Sequence, residues 1–317
     1  MNPLDWLLDS DPAIRWQAMR DLTDASAADL ARERARIAHE GIGAAILAAQ
    51  QPDGAWRRPE APAWLTTLFT LLLLRATGVD PADPAVQAAL DRSAANLRWS
   101  NHNNRWDLRA PEFGGNPFFE GEVEPCINGG VLAFGACFGH PNEQLARRLL
   151  AEQLDDGGWN CEAPKSQVSS FHTTLCVLEG LLEYERAAGA AADVAGRIAG
   201  ARRRAEEYLL TRRLFRRRST GEVVHPEFLT FAFPPRYQYD VLRALDYFRA
   251  AGARPDPRTE EALQIVESRR QPDGRWLLDR TRDEALALSL GETASEASRW
   301  NTLRALRVLR WSEQDQT

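Results

Sequence analysis

Three kinds of metal-binding side chain occur close together in the middle of this sequence. Cys126 follows a Glu-Pro pair that begins at Glu124, Cys161 lies in a polar segment, and His172 follows the Ser170-Phe pair. Zinc is bound in proteins by cysteine, histidine and carboxylate side chains in a tetrahedral arrangement. The chain has four cysteines in 317 residues, too few for a disulfide scaffold, which favours metal ligands or buried core residues. A zinc site is therefore our first hypothesis.

The segments around Cys126 and His172 each resemble the start of a helix. Pro125 suits the first helical position, which makes Glu124 the N-cap and places Cys126 in the first turn. The Ser169-Ser170 pair can cap a later helix, with His172 in its first turn. A helix N-terminus also lowers the pKa of a thiol, so we expect Cys126 to form the thiolate that a metal requires.

Two cysteines are alternative candidates for the fourth ligand. Cys161 lies between the helix starts, and Cys176 lies one turn below His172. A fourth protein ligand would close the site and make it structural, whereas an open position would admit water or a substrate thiolate. The plain alternative is that each cysteine is a small core residue and His172 a hydrogen-bonded one. Cys137, about three turns into its helix, is predicted to be core.

One short pattern occurs three times and predicts the corner of a helical hairpin. Its copies are Gln51-Pro-Asp-Gly-Ala-Trp56, Gln153-Leu-Asp-Asp-Gly-Gly-Trp159 and Gln271-Pro-Asp-Gly-Arg-Trp276. Each copy follows a helix-like run, which covers Ala27–Ala49, Gln144–Glu152 and Thr259–Arg270 respectively. Glycine just after a helical run is a helix-stop signal, and a second apolar helix follows each copy.

The rest of the chain supplies further helices and almost no strand signals. The additional helical runs are Ala85–Trp99, Cys126–Phe138, Ala195–Arg213, Pro235–Ala251, Ser295–Trp311 and Leu4–Asp24. The fold class is therefore predicted to be all-α, a single domain over residues 1–317 with about six hairpins. Hairpins that bury apolar faces against their neighbours form an open solenoid or a closed ring, and residues 1–25 would close the ring.

The three Gln/Asp-Gly/Trp segments resemble the QW motifs of the squalene and oxidosqualene cyclases and of the protein prenyltransferases. This resemblance implies a single α/α toroid whose inner helices run parallel and open their N-termini at one end of a cavity. Neighbouring inner helices would then bring Cys126 and His172 together. The squalene-type cyclases use an Asp-x-Asp-Asp acid and two such domains, but this chain has no such motif and the length of one toroid. The Asp155-Asp156 pair belongs to a corner.

The prenyltransferase branch is the closer resemblance. Glu124-Pro-Cys126 is similar to the Asp-x-Cys zinc ligands of the prenyltransferase β subunits, and Ser170 to Leu181 is similar to their Phe/Tyr-His-Thr segment. The resemblance implies zinc held by Glu124, Cys126 and His172, with Cys161 as a further ligand. Two departures matter: residues 118–123 are acidic where that family holds a diphosphate, and no α subunit is evident.

Other residues at the starts of inner helices are candidates for a substrate pocket. They are Trp64, Tyr237, Tyr239, Arg299 and Trp300. Aromatic side chains with a few polar groups suit an apolar ligand with one polar end, although the same side chains could fill a closed core. Asp240 is predicted to form an ion pair with Arg299 or Arg243, with general acid as the alternative.

Charge and hydropathy exclude several classes of partner. A net charge of -6 argues against nucleic acid, which requires a basic face. No stretch reaches the roughly 18 to 20 apolar residues of a membrane span. The N-terminus lacks the features of a secretory signal, so a cytoplasmic location is expected.

The sequence supports three functional hypotheses. The first is a zinc-dependent enzyme that acts on an isoprenoid or other apolar small molecule through a metal-activated thiolate or water. The second is a non-catalytic toroid that binds a lipid or a protein, with a structural zinc or no metal. The third is a metal-free, acid-type terpene cyclase that uses Asp240.

Overall fold

A computed structural model describes residues 2–99, 115–187 and 192–313, and these residues are predominantly helical, as predicted. The α-helices are Pro3–Leu8 (α1), Pro12–Leu22 (α2), Ala27–Arg36 (α3), Gly41–Ala48 (α4), Ala63–Thr77 (α5), Pro84–Asn96 (α6), Pro125–Cys137 (α7), Glu143–Ala151 (α8), Phe171–Arg186 (α9), Ala192–Leu210 (α10), Val241–Ala250 (α11), Glu260–Ser268 (α12) and Arg299–Glu313 (α13). Two-residue strands, Ala232–Phe233 (β1) and Arg280–Thr281 (β2), pair in parallel.

The three predicted corners share one set of hydrogen bonds. Each tryptophan is fully buried, and its indole Nε1 donates to the carbonyl ten residues earlier, at 2.7 Å in every copy: Trp56 to Ile46, Trp159 to Leu149, Trp276 to Val266. Each tryptophan backbone N–H also donates, at 3.0 to 3.1 Å, to a threonine hydroxyl of the following helix: Thr67, Thr174 and Thr302. One residue thus ties both helices of each hairpin.

The second corner also shows how one hairpin is joined to the next. The side-chain amide of Gln153 donates at 2.8 Å to the Ala201 carbonyl of α10. Gly157 has a φ of +101°, and a Cβ at this position would lie 2.6 Å from the Arg204 carbonyl oxygen of the same helix. A side chain would therefore be strained in its backbone and would clash with α10, which explains the glycine.

The predicted helix over Ala27–Ala49 is two helices, α3 and α4. The break covers residues 37–40, and α4 begins at Gly41, whose φ of +63° is the left-handed conformation that glycine adopts readily. The Asp11 carboxylate accepts a hydrogen bond of 2.7 Å from the N–H of Ile42 in the first turn of α4. Asp11 also accepts from Ala13 at the start of α2, so one side chain serves two helix starts.

Helices α7 and α9 pack with their backbones in close contact. A Cβ at Gly180 of α9 would lie 3.0 Å from the carbonyl carbon of Gly129 in α7. A Cβ at Gly129 would lie 2.6 Å from the carbonyl carbon of Cys176 in α9. Both positions therefore require glycine, and the contact fixes the start of α7 next to the start of α9.

Six helices surround one cavity. Helix α5 packs against α7 and α7 against α9, while α11 packs against α13 and α13 against α2. Residues from all six of these helices line a cavity of about 560 Å³. The first and last helices of the described chain are in contact, since α1 packs against α13.

The other helices of the described chain contribute no residue to the lining of this cavity. Helix α10 contacts α8 and α9, and α12 contacts α11 and α13. Among the described residues, no helix combines the length and the apolar character needed to cross a membrane. The longest helix, α10, carries repeated arginine and glutamate residues.

Candidate metal centre

The segment before α7 is held by side chains that fix the position of Glu124 and Cys126. Helix α7 begins at Pro125 with Glu124 as its N-cap residue, as predicted. The side chain of Asn128 accepts from the N–H of Glu122 and donates to its carbonyl, both at 2.8 Å. Arg148 of α8 donates at 3.0 Å to the Val123 carbonyl. The approach to the helix is therefore fixed on two sides.

Cys161 is positioned by the second tryptophan corner, two residues after Trp159. The Trp159 carbonyl accepts from the Ser170 N–H at 2.8 Å, which connects the segment before α9 to the corner. Asn160 donates at 2.7 Å to the Val168 carbonyl and accepts at 2.9 Å from the Glu162 N–H. The loop that carries Cys161 is thus closed at its base.

Glu124, Cys126 and Cys161 form one group. Their potential ligand atoms all lie within 4.8 Å of one another. The two sulfur atoms are 3.0 Å apart, and the Cys126 sulfur is 3.4 Å from Glu124 Oε2. Cys161 also lies 3.3 Å from the Thr173 hydroxyl of α9. This set of two thiols and a carboxylate confirms the prediction of a site that can hold a metal ion.

The three side chains fit zinc in the type of their ligand atoms and in the distance between the two sulfurs. Thiolate and carboxylate are both zinc ligands, and two sulfurs bound tetrahedrally at about 2.3 Å each would lie about 3.7 Å apart. The observed 3.0 Å between the sulfurs requires them to separate by less than 1 Å. Soft sulfur ligands also favour zinc over magnesium or calcium. Three protein ligands leave one position of a tetrahedron for another group.

The expected low pKa of Cys126 is wrong. Its hydrogen bond with Cys161 raises the pKa of Cys126 well above the ordinary thiol value, and burial raises it further. The N-terminus of α7 does not offset these two effects. Cys126 is therefore a neutral thiol at pH 7 unless a cation displaces its proton.

The structure does not bring His172 into the group of three. Its Nδ1 accepts a hydrogen bond of 2.8 Å from the Tyr239 N–H, and its ring packs edge-on against Phe228. Burial, followed by the charge of Arg243, lowers the pKa of His172 to about 4. In a neutral imidazole with Nδ1 as acceptor, Nε2 carries the proton and offers no lone pair to a metal. His172 lies in the first turn of α9, as predicted, but it contacts Phe228 and Tyr239 in the segment before α11.

Cys176, the alternative fourth ligand, faces the cavity and lies outside this group. It is buried, and its sulfur is 3.6 Å from both the Tyr237 carbonyl and Arg243 Nη2. Burial raises the pKa of Cys176 to about 11. Cys137 also lines the cavity and packs against the apolar core.

The metal group opens onto the cavity, together with part of the predicted substrate pocket. Glu124 and Cys126 are lining residues, and so are Trp64, Tyr237 and Trp300. Trp300 stacks on Phe233 with 4.4 Å between ring centroids. The predicted aromatic side chains at helix starts are therefore in part cavity walls.

Three other predicted site residues do not line this cavity. Tyr239 is buried, and its hydroxyl donates at 2.6 Å to the Leu214 carbonyl. Arg299 donates at 2.8 Å to the Asp9 carbonyl, which ties α13 to the N-terminal helices. Asp240 caps α11, where it accepts from the Arg243 N–H at 2.7 Å, so the helix begins later than the predicted Pro235. Each has a local structural role.

Sequence reasoning missed a group of arginines on the cavity wall. Arg75, Arg304 and Arg307 line the cavity from the middle or end of α5 and α13, and Arg243, expected only as a partner of Asp240, lines it from the first turn of α11. The sequence does contain a sign of this group: arginines recur three residues apart in α13, on the helix face that also carries Trp300. Arginine at such positions is ordinarily assigned to a solvated helix face, which is why the signal was not used.

Comparisons with known proteins add little. No protein-family model and no curated protein matches the sequence. Among solved structures, the crystal structure of a protein from Actinoplanes aligns with 96% of this chain and 91% of its own chain, at 16% identity and a TM-score of 0.47. A likeness at this level carries no functional information.

Proposed function

We propose that this chain is a zinc-dependent enzyme of the prenyltransferase and terpene-cyclase type that acts on an apolar small molecule. The observation that carries the proposal is that Glu124 and Cys126 belong both to the metal-binding group and to the cavity lining. A reacting group bound at that point would lie beside a largely apolar chamber. The thiols that the site needs persist in a reducing compartment, which is why we assign the protein to the cytoplasm.

The proposed fold is a single α/α toroid. Its support is the order of helix contacts around the cavity, from α5 through α7 to α9 and from α11 through α13 to α2. The corners support it as well, since Gln153 ties one hairpin to the next. In such a ring, α1 and α2 would close the circle against α13.

The contacts in the structure suggest a role for each residue of the proposed site. Glu124, Cys126 and Cys161 would hold the zinc ion, which supplies a Lewis acid that keeps a bound thiolate or water deprotonated at neutral pH. Trp64 and Trp300 would orient the apolar part of the substrate and exclude water. Thr173 contacts Cys161 and would fix the direction of its sulfur.

Metal analysis of the purified protein tests the proposal. We expect about one zinc ion per chain in the parent protein and loss of zinc in Cys126→Ala and Cys161→Ala. Cys137→Ala is the matched control, since Cys137 lines the same cavity but lies outside the group of three. Absence of stoichiometric zinc from the parent would remove the proposed chemistry.

Turnover then separates an enzyme from a binding protein. The zinc-loaded protein would be incubated with prenyl diphosphates plus a thiol acceptor, and separately with squalene, and the products identified by mass spectrometry. A zinc-dependent product supports the enzyme, whereas stoichiometric zinc without any product favours the non-catalytic toroid. A product from squalene without metal would favour the acid-type cyclase.

A further inference from the structure

Four buried nitrogen atoms on residues that line the cavity have no hydrogen-bond partner. They are Trp64 Nε1, Arg75 Nε, Arg236 Nε and Arg304 Nη2. All four are donors, and none of the unpartnered buried oxygen atoms among the described residues belongs to a cavity-lining residue. Buried donors are normally paired, so a ligand of this cavity is expected to bring acceptor atoms.

The charge of the cavity points in the same direction. Eight arginines and four acidic residues line it, and three carboxylates outside the lining, Asp21, Asp240 and Glu284, pair with three of these arginines. The excess is one positive charge, and a positive charge beside apolar walls favours a ligand of the opposite sign. The cavity is therefore suited to an organic anion.

Arg304 differs from the other arginines of the lining. Each of the other seven has a carboxylate oxygen within 3.2 Å. Arg304 is 4% exposed and forms a longer ion pair with Asp240, whose oxygen lies 3.8 Å from Arg304 Nη2, beyond hydrogen-bond distance. Its Nη1 donates to the Ala232 carbonyl at 3.2 Å and to Asn301 Oδ1 at 3.3 Å, which fixes the guanidinium and leaves Nη2 available.

The rest of the lining suits a hydrocarbon body. Leu65 and Leu72 of α5 and Ile127 of α7 line the cavity with partly exposed side chains, and Leu72 lies directly beside Gly130 of α7. The volume of about 560 Å³ corresponds to roughly 15 to 20 non-hydrogen atoms, taking ~30 Å³ for each, the share of a water molecule in the liquid. A hydrocarbon chain of that size with one polar end matches both the apolar side chains and the unpartnered donor atoms of the lining.

We propose that the cavity binds an amphipathic organic anion with a single carboxylate, which Arg304 binds while the hydrocarbon body lies against Leu65, Leu72 and Ile127. A single carboxylate is favoured over a diphosphate because the other seven arginines are already paired with carboxylates. This inference rests on the proposed function for treating the cavity as the substrate site, and it narrows the substrate class from prenyl diphosphates to apolar carboxylates.

Calorimetric titration with dodecanoate, 1-dodecanol and a prenyl diphosphate, each below its micelle concentration or its solubility limit, tests the proposal. We expect dodecanoate to bind the parent protein at least ten-fold more tightly than the neutral alcohol or the diphosphate. Arg304→Met should weaken dodecanoate binding ten-fold or more, because it removes a charged hydrogen bond. Arg310→Met is the control, since Arg310 lies on the same helix but is exposed and outside the lining.

Two further variants keep the test decisive. Leu72→Trp fills the cavity and should weaken dodecanoate and dodecanol alike. Cys161→Ala should lose zinc but retain dodecanoate binding, so failure of the metal proposal and failure of this one are distinguishable. Equal affinity of the parent for dodecanoate and dodecanol, tighter binding of the diphosphate, or no binding of any probe would overturn the proposal, and these results do not depend on Arg304→Met folding.

Discussion

The second corner of this protein carries candidate chemistry, whereas the first and third corners carry only structure. All three use the same indole bond of 2.7 Å to the preceding helix and the same threonine bond to the following one. The residue two positions after the tryptophan differs: it is Arg58 in the first copy, Cys161 in the second and Leu278 in the third. A repeated scaffold therefore presents this position, and the metal-binding thiol occurs in one copy.

A second position also differs between the three copies. It lies in the helix after each corner, two residues before the threonine that accepts the tryptophan N–H. That position is Leu65 in the first copy, His172 in the second and Trp300 in the third. Neither position is used by the tryptophan bonds, so its side chain can change without loss of the corner. The comparison teaches that the repeat bonds determine the fold, while the positions they leave unused determine the chemistry.

Removal of the corner tryptophans has the largest expected effect. Trp159→Ala and Trp276→Ala should each lower the free energy of unfolding by about 3–5 kcal/mol, since each deletes a fully buried indole. Only Trp159→Ala should also weaken zinc binding, because Cys161 lies two residues away. Urea unfolding and metal analysis of both variants check this. Loss of zinc in Trp276→Ala, while that protein remains folded, would contradict the difference between the corners.

Acid sensitivity should arise from His172, at the position where the copies differ. Its pKa of about 4 in the folded protein lies below its unfolded value of about 6.5. The neutral ring therefore contributes stability above pH 6.5 that is lost as the pH falls towards 4, about 3 kcal/mol in all. The surrounding charged groups are Arg243, Arg282, His225 and Glu227.

The comparison of His172→Asn with the parent isolates this effect. The asparagine oxygen can accept the Tyr239 N–H in place of Nδ1 but does not titrate between pH 4 and 7. Urea unfolding at intervals over that range should show a smaller loss of stability in the variant. Identical pH profiles for the two proteins would show that His172 is not the source.

The threonine bonds should give the smallest effect and the same effect at every corner. Thr174→Val and Thr302→Val each leave a buried tryptophan N–H without its acceptor, which costs about 1–3 kcal/mol. Thr174→Ser and Thr302→Ser keep the hydroxyl and serve as controls. Urea unfolding measures all four proteins. A loss confined to Thr174→Val would mean that the corners are not equivalent structurally.

The helices and corners were predictable because their signals are local. Gly157 lies in the turn after a helical run, and Trp159 follows it at the same spacing as in the other copies, so both the hairpin and its corner follow from sequence pattern. The helix start that places Cys126 in a first turn was equally local, since Pro125 and Glu124 precede it. The break at Gly41 was missed because its cause, the Asp11 carboxylate, comes from another helix.

The partners of the site residues were harder to predict because they depend on tertiary packing. The sequence pairs His172 with the thiols, but its lone pair is used by the Tyr239 N–H from the segment before α11. Likewise, Asp240 was expected near Arg299 or Arg243, and the guanidinium near it is that of Arg304. Such pairings join segments more than 60 residues apart, for which spacing along the chain carries no information.

Cobalt substitution tests the central claim most directly, since it reports both metal binding and sulfur ligation. We predict that Co²⁺ bound to the parent protein gives a thiolate-to-metal charge-transfer band and the strong visible absorption of a tetrahedral site, at about one equivalent per chain. The band should weaken in Cys161→Ala and persist in Cys137→Ala. A Co²⁺ spectrum without thiolate bands, or equal bands in the parent and Cys161→Ala, would contradict a metal centre at Glu124, Cys126 and Cys161.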